Sequence, residues 1–310
     1  MGLITKITTK DMSNEEWVAS RKDSIGGSDA ATVLGLNPYS SPYALWAEKT
    51  GAIIPADIST KEAVRLGHVL EPYVAQRFTE ITGKKVRREN YILKNSDYPW
   101  AHANVDRLVI GEKAGLECKT TSALNLKKFK GGEYPANYYC QCMHYLAVTG
   151  LDQWYLAVLI GNQEVRVFTI ERDEEEIAAL MEAEQRFWSC VESRQAPPVD
   201  GMEATGKTLD ALHSDNGEFV DLTPVCGDIR EYLALKAEIK KLEEKLNTCA
   251  NGIKAFMGDS SKGSYGDFSV SWAGRSRKTF DTKAFQKANP SIDLTPFYKT
   301  STYQQFSVKG

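Results

Sequence analysis

Two short strands that bring acidic groups together constrain this chain more than any other stretch of it. Ala103-Asn104-Val105-Asp106-Arg107 and Gly115-Leu116-Glu117-Cys118-Lys119-Thr120-Thr121-Ser122 read as strands joined by a turn across Gly111 to Gly115. Side chains alternate along a strand, so Glu117 and Lys119 share one face while Leu116 and Cys118 point into the core. Asp106 stands where the first strand ends, with Leu108 to Ile110 continuing it, and brings a second carboxylate beside Glu117. Two carboxylates with the backbone carbonyl of Cys118 offer the hard oxygens that Mg²⁺ prefers. A lysine two residues past the second acid polarises a water or steadies a phosphate oxygen there. The polar outer face of an ordinary hairpin has the same pattern.

Three further stretches stand in order around this one: Arg21 with Ile25-Gly26-Gly27-Ser28-Asp29-Ala30-Ala31, then Gly67-His68-Val69-Leu70-Glu71-Pro72, then Gln141-Cys142-Met143-His144-Tyr145. Together with Asp106 and Glu117-Cys118-Lys119 they resemble the YqaJ-type phage recombinases, relatives of lambda exonuclease within the PD-(D/E)xK nuclease superfamily. The match is strongest from about Trp17 to Thr149 and looser to the C-terminus. The resemblance implies that Arg21 and Ser28 bind a 5′-terminal phosphate and that Glu71 is a third acid, reaching the metal directly or through water. Gln141 and Tyr145 lie one turn apart on one helix face. This is the RecB-type Gln-x-x-x-Tyr signature, in which Gln141 holds a phosphate or the attacking water and Tyr145 braces the strand bearing Glu117.

The 310 residues suffice for one large domain and a smaller one. No apolar run reaches the roughly eighteen residues of a membrane helix, and the N-terminus lacks a signal-peptide core. Six scattered cysteines fit free thiols in a reducing cytoplasm, here that of a bacterial host carrying a phage or prophage. With no cysteine before Cys118, the iron–sulfur cluster of some related nucleases is not expected. Net charge is only −3, yet basic residues cluster at Lys84 to Arg88, Lys127 to Lys130 and Arg275 to Lys287. Local basic patches on an acidic protein suit an enzyme that tracks DNA phosphates and releases them, or form solvated faces.

Ser28 reads as the N-cap of a helix ending at Gly35, and Thr60 to Thr82 as a helix with Leu66, Leu70, Val74, Phe78 and Ile81 inward. Tyr39, Tyr43 and Trp46 read as core packing, with stacking on a terminal base as the alternative. Strands are expected at Lys84–Leu93, Ala101–Ile110 and Gly115–Thr121, then a helix at Tyr138–Val148, a hairpin across Gly161-Asn162 and an amphipathic helix at Glu174–Ser193. The fold class is α/β, a PD-(D/E)xK-like central mixed sheet flanked by helices, with a long C-terminal helix and a small α+β module.

Residues 1–200 form the expected exonuclease domain, 201–227 a linker, and 228–310 a heptad helix with a basic module. The linker holds Gly201-Met202-Glu203-Ala204-Thr205-Gly206-Lys207-Thr208, which fits a P-loop pattern without the apolar strand that must precede one, so no nucleotide site is expected. Asp228 to Phe256 carries apolar residues at alternating spacings of three and four. The tail reads as a hairpin across Ala273-Gly274, a helix at Thr282–Ala288 and a strand at Tyr303–Val308.

The resemblance implies a Mg²⁺-dependent 5′→3′ exonuclease acting on double-stranded DNA ends, with Mn²⁺ as a substitute metal. Asp106, Glu117 and the Cys118 carbonyl would hold the metal and Lys119 the water, assisted by Glu71 and Gln141. Partners implied are a RecT-type single-strand annealing protein and further copies of the chain in a ring, a trimer in the lambda relative. Two alternatives remain: a structure-selective endonuclease on the same site, and a non-catalytic DNA-binding scaffold that recruits the annealing protein.

Overall fold

The first strand, β1 (Ile4–Thr8), is one that its mostly polar sequence does not announce; it exists because residues 91–95 offer it an antiparallel partner. The computed structural model describes residues 2–10, 12–55 and 57–309, with the backbone alone at 14, 15, 17 and 18. Helix α1 (Asn14–Lys22) opens on a reciprocal cap: the Ser13 hydroxyl accepts from the Glu16 N–H and the Glu16 carboxylate accepts from the Ser13 N–H. β2 (Ile25–Gly26) leads directly into α2 (Gly27–Val33), and α3 (Pro42–Lys49) starts on a Ser41 cap with proline in its first turn. α4 (Glu62–Thr82) ends at Gly83, whose φ of +73° suits a left-handed cap. The helix runs through Pro72, and its fully buried part is Val74, Ala75 and Phe78. Leu66 and Ile81, expected inward, are 44% and 49% exposed, since the sheet supplies apolar partners only beneath the middle of the helix.

The two strands expected at 84–93 and 101–110 each break in two, giving β3 (Val86–Arg88), β4 (Tyr91–Asn95), β5 (Ala101–Asn104) and β6 (Arg107–Val109). Each half joins a different sheet. β1, β4, β5 and β2 form one of four strands, whereas β3 and β6 pair at the edge of a five-stranded one. That sheet continues through β7 (Ala114–Thr121), β8 (Gln153–Ile160) and β9 (Glu164–Glu171) in the order β3-β6-β7-β8-β9. Asp106 lies in the break between the sheets, so it is free of strand pairing.

β7 and β8 are parallel, which requires a crossover, and α5 (Ala136–Thr149) supplies it. Leu116 packs with Val74, Phe78 and Tyr155 on the α4 face; Trp154, Leu156 and Val158 pack with α5 and α6 (Glu174–Ser193) on the other. A mixed sheet between helices is the architecture expected. Within the stretch expected as linker, α7 (Glu203–Leu212) forms, with Thr205 and Thr208 buried and the Thr205 hydroxyl bonded to that of Ser41. The first compact unit accordingly runs Met1–Ser214.

The second unit, Asp215–Gly310, contains α8 (Cys226–Met257), a hairpin of β10 (Lys262–Tyr265) and β11 (Phe268–Ser271), and α9 (Thr282–Ala288). The hairpin turns at Gly266-Asp267, with Gly266 at φ +53°, and not across Ala273-Gly274. Residues 275–280 and 303–308 hold no regular structure. None of the described residues in this unit is buried. No helix among the described residues is long and apolar enough to cross a membrane.

Gly115 packs β7 against a wholly buried Trp154, and a Cβ there would lie 2.3 Å from the indole. Gly115→Ala is expected to destabilise the first unit by about 1–3 kcal/mol, read as a lower urea midpoint. An unchanged midpoint would mean that the ring moves aside freely.

Candidate active site

Helix α5 sits against both sheets, and its polar face holds the site in place. The Gln141 side-chain amide donates to Glu117 Oε1 at 2.7 Å and to the Tyr145 hydroxyl at 2.8 Å; Tyr145 in turn donates to the Asn104 carbonyl at 3.0 Å. One directional chain of hydrogen bonds thus joins Glu117 on β7 to the end of β5, two residues before Asp106. Gln141, expected to hold a phosphate or the attacking water, has its amide nitrogen on Glu117, and the Tyr145 hydroxyl ties that amide to the end of β5. Lys119 shares the face of Glu117, with its ammonium 2.7 Å from Glu117 Oε1 and 5.5 Å from the centre of the Tyr138 ring. Burial disfavours that charge, but the Glu117 carboxylate outweighs it and raises the Lys119 pKa.

β7 loses its β6 partner beyond Leu116, because the chain leaves β6 at Arg107. Asp106 occupies the opened edge, where its Oδ2 accepts the Cys118 N–H at 2.9 Å. A residue's N–H and C=O point to the same edge of a strand, so the Cys118 carbonyl faces this side too. Burial, reinforced by the nearby Glu117 charge, pushes the Asp106 carboxyl up to about 8. Glu117 is only 3% exposed, and its Oε2 has no hydrogen-bond partner among the described residues. A buried carboxylate oxygen left unpaired is costly unless something cationic meets it.

The donor set fits Mg²⁺: the free Glu117 oxygen, the Asp106 carboxylate and a carbonyl on the same edge. No three His, Cys, Asp or Glu side chains among the described residues form a closed metal cage. Mg²⁺ commonly uses one or two carboxylates and completes its shell with water and substrate phosphate. Glu71, expected as a third acid, lines the same cavity as Asp106. It pairs with Arg107, a 6%-exposed residue whose guanidinium also donates to the Asp106 carbonyl at 2.8 Å. Both line an open cavity of about 360 Å³ that reaches Asp106, with His68, Arg88 and Asn104 on its walls. Arg107 carries no sequence signal beyond a charge that the strand has to bury.

Arg21 and Ser28 come together as expected, with the guanidinium donating to the Ser28 hydroxyl at 2.8 Å. Ser28 is not the N-cap, however. Gly26 is, and its N–H is taken by the Asp29 carboxylate at 3.1 Å, which leaves Ser28 exposed in the first turn. Beneath them Lys49, missed in sequence, donates to the carbonyls of Arg21 and Ser24 and pairs with Asp29 at 2.7 Å. Burial would raise the Asp29 pKa, but Lys49 and Arg21 outweigh it and hold the acid below the usual carboxylate range. α2 touches the brace directly, since a Cβ on Gly27 would lie 2.5 Å from the Tyr145 ring.

Behind the brace, His144 is fully buried between the His102 carbonyl (2.9 Å) and Glu184 of α6 (2.8 Å). A carbonyl can only accept, so His144 Nε2 carries a hydrogen. Burial opposes its charge, and the Glu184 carboxylate outweighs burial, so its pKa is raised. The His102 ring meets the Ser24 hydroxyl at 2.8 Å and has its pKa lowered to about 3, by burial first and then by His144.

Residues 16–152 match the family model of the YqaJ-like viral recombinase domain. The protein YqaJ of Bacillus subtilis (strain 168) is 39% identical over 305 residues, covering 96% of this chain and 95% of its own. The alkaline exonuclease LHK-Exo of Laribacter hongkongensis superposes with a TM-score of 0.50 at 20% identity, over 64% of this chain and 100% of that one. At that identity the likeness is one of fold.

Lys49 is 6% exposed and Asp29 13%, so Lys49→Met strands a buried carboxylate and is expected to cost about 3–5 kcal/mol in urea unfolding. A loss under about 1 kcal/mol would mean that the pair is solvated. His102 gives a pH signature. Its folded pKa lies below the ordinary 6.5, so its contribution is fully present above 6.5 and is lost as pH falls toward about 3. The loss is up to about 1.4 kcal/mol per pH unit. Between about pH 6.5 and 4.5 the urea midpoint should fall less steeply in His102→Gln than in the parent; parallel curves would refute the assignment.

Proposed function

The chain belongs to the YqaJ-like viral recombinase family of the PD-(D/E)xK superfamily, and from that premise we propose that it is a Mg²⁺-dependent 5′→3′ exonuclease on duplex DNA ends. The observation that carries this reading is the unpartnered Oε2 of buried Glu117, beside Asp106 and Lys119. The similarly folded Laribacter hongkongensis protein is an alkaline exonuclease, which supports the same reaction class.

In this reading Asp106, Glu117 and the Cys118 carbonyl hold the metal. Bound there, Mg²⁺ supplies Lewis-acid stabilisation of charge on the attacked phosphate. Lys119, fixed by Glu117, directs its remaining N–H groups at a phosphate oxygen or the attacking water. Gln141 keeps Glu117 in a single orientation, and Arg107 positions Asp106 through its carbonyl while neutralising Glu71. Arg21 and Ser28 take a 5′-terminal phosphate, a charge-assisted contact to three acceptor oxygens. The 3′-ended single strand left behind is the form that a RecT-type annealing protein accepts. That partner and a ring-shaped homo-oligomer rest on resemblance to lambda exonuclease.

The test is digestion of linear duplex DNA labelled at either end of one strand, with nicked and closed circles alongside. Mg²⁺-dependent loss of the 5′ label first, with closed circles intact, is expected. Lys119→Ala should lower the rate by about 10³-fold, the scale of removing one positioned electrostatic donor. Arg21→Ala should erase the preference for a 5′-phosphate end while slower cleavage persists. Cutting of closed circles would replace this reading with an endonuclease. DNA binding without cleavage would favour a scaffold.

A further inference from the structure

Along α8 an apolar seam stays largely open to water, with Tyr232 at its N-terminal end meeting the Phe306 ring edge-on. Tyr232, Ile239, Leu246 and Ile253 take the a positions of a heptad, and Leu235, Leu242, Cys249 and Phe256 take d. Leu235, Ile239, Leu242 and Leu246 are 51–69% exposed, and Phe256 is 95% exposed. A helix of 32 residues with such a stripe open to water gains little from its own unit, whose described residues include none that is buried.

The charges beside the seam select its occupant. The charged g positions are Glu231, Glu238 and Lys245, and the charged e positions are Lys236 and Glu243. In a parallel pair each g residue faces the e residue five positions on in the other chain. Glu231 would then meet Lys236, but Glu238 would meet Glu243, so attraction and repulsion cancel. In an antiparallel pair e faces e and g faces g. Setting Ile239 opposite Leu242 of a second copy puts Lys236 opposite Glu243 and Glu238 opposite Lys245, each occurring twice by symmetry. The same register layers Leu235 on Leu246 and Tyr232 on Cys249. A slip of one heptad in one direction sets Lys236 against Lys236 and Glu238 against Glu238. In the other direction it sets Glu243 against Glu243 and Lys245 against Lys245.

We propose that α8 is a self-association surface, on which the α8 of a second copy of this chain docks antiparallel with Ile239 facing Leu242. The inference is independent of the nuclease reading.

The experiment measures the mass of the full chain by sedimentation across a dilution series. Leu242→Glu should at least halve the assembly mass while circular dichroism shows the helix intact. Glu243→Lys should raise the dissociation constant about tenfold, because two attractive rim pairs become repulsive. Adding Lys236→Glu should restore it. A parallel pair predicts the reverse for Glu243→Lys, which would turn Glu238–Glu243 repulsion into attraction. Tighter or unchanged association in that variant, an assembly mass insensitive to Leu242→Glu, or a monomeric parent would overturn the proposal.

Discussion

The site depends on one hydrogen-bonded chain: Gln141 to Glu117, Gln141 to Tyr145, and Tyr145 to Asn104. Its direction is set by chemistry, because Asn104 offers a carbonyl, which only accepts, and Glu117 a carboxylate. The Gln141 amide therefore points one way, and Glu117 Oε1 is fixed by it and by Lys119. The opposite oxygen is left for another partner. A helix that served only to pack would need neither this chain nor the buried His144 behind it. α5 ties Glu117 on β7 to the end of β5, after which the chain breaks between the sheets and places Asp106.

That break decides where Asp106 stands. A continuous strand from 101 to 110 would have paired Asp106 into a ladder and pointed it to one face. Instead the chain passes from one sheet to the other at Val105-Asp106, and the aspartate reaches the open edge of β7 to accept the Cys118 N–H. The cost is a buried carboxylate next to another, which explains why the Asp106 pKa is pushed up to about 8. Arg107 relieves part of the crowding by holding Glu71 in an ion pair.

Local pattern made the strands β7 to β9, the helices α4 to α6, and the alternation of Glu117 and Lys119 legible, because periodicity is a property of neighbours in sequence. The mixed sheet between helices follows from their order. Partnerships between distant charges were not legible: Lys49 with Asp29, Arg107 with Glu71, and His144 with Glu184 each join separate elements. Glu184 did leave a trace. It lies on the apolar stripe of α6 between Met181 and Phe187, where a carboxylate must either break the burial pattern or be paired. A charged residue on the buried side of a helix is thus a sequence-level sign of a tertiary ion pair, although its partner stays unnamed. The Gln141 position was legible, but its bond to Glu117 was not, since it joins separate elements of the fold.

The two units solve the burial problem in opposite ways. In Met1–Ser214 buried charges pair within the chain, and the fully buried carboxylate oxygens without a partner among the described residues are one of Glu117 and one of Glu184. The two exceptions differ in kind. Glu184 is wholly enclosed beside a histidine whose charge it supports, so its second oxygen is a cost of the brace. Glu117 stands at an open strand edge next to Asp106, where a cation arriving with substrate can satisfy it. In Asp215–Gly310 the unmatched groups are apolar and exposed, and the charges flanking them are complementary only in one register of a pair. In the reading proposed above, the unmet Glu117 oxygen takes a metal and the open heptad seam takes a helix. In each unit, what the fold leaves unsatisfied indicates the partner it is built to take.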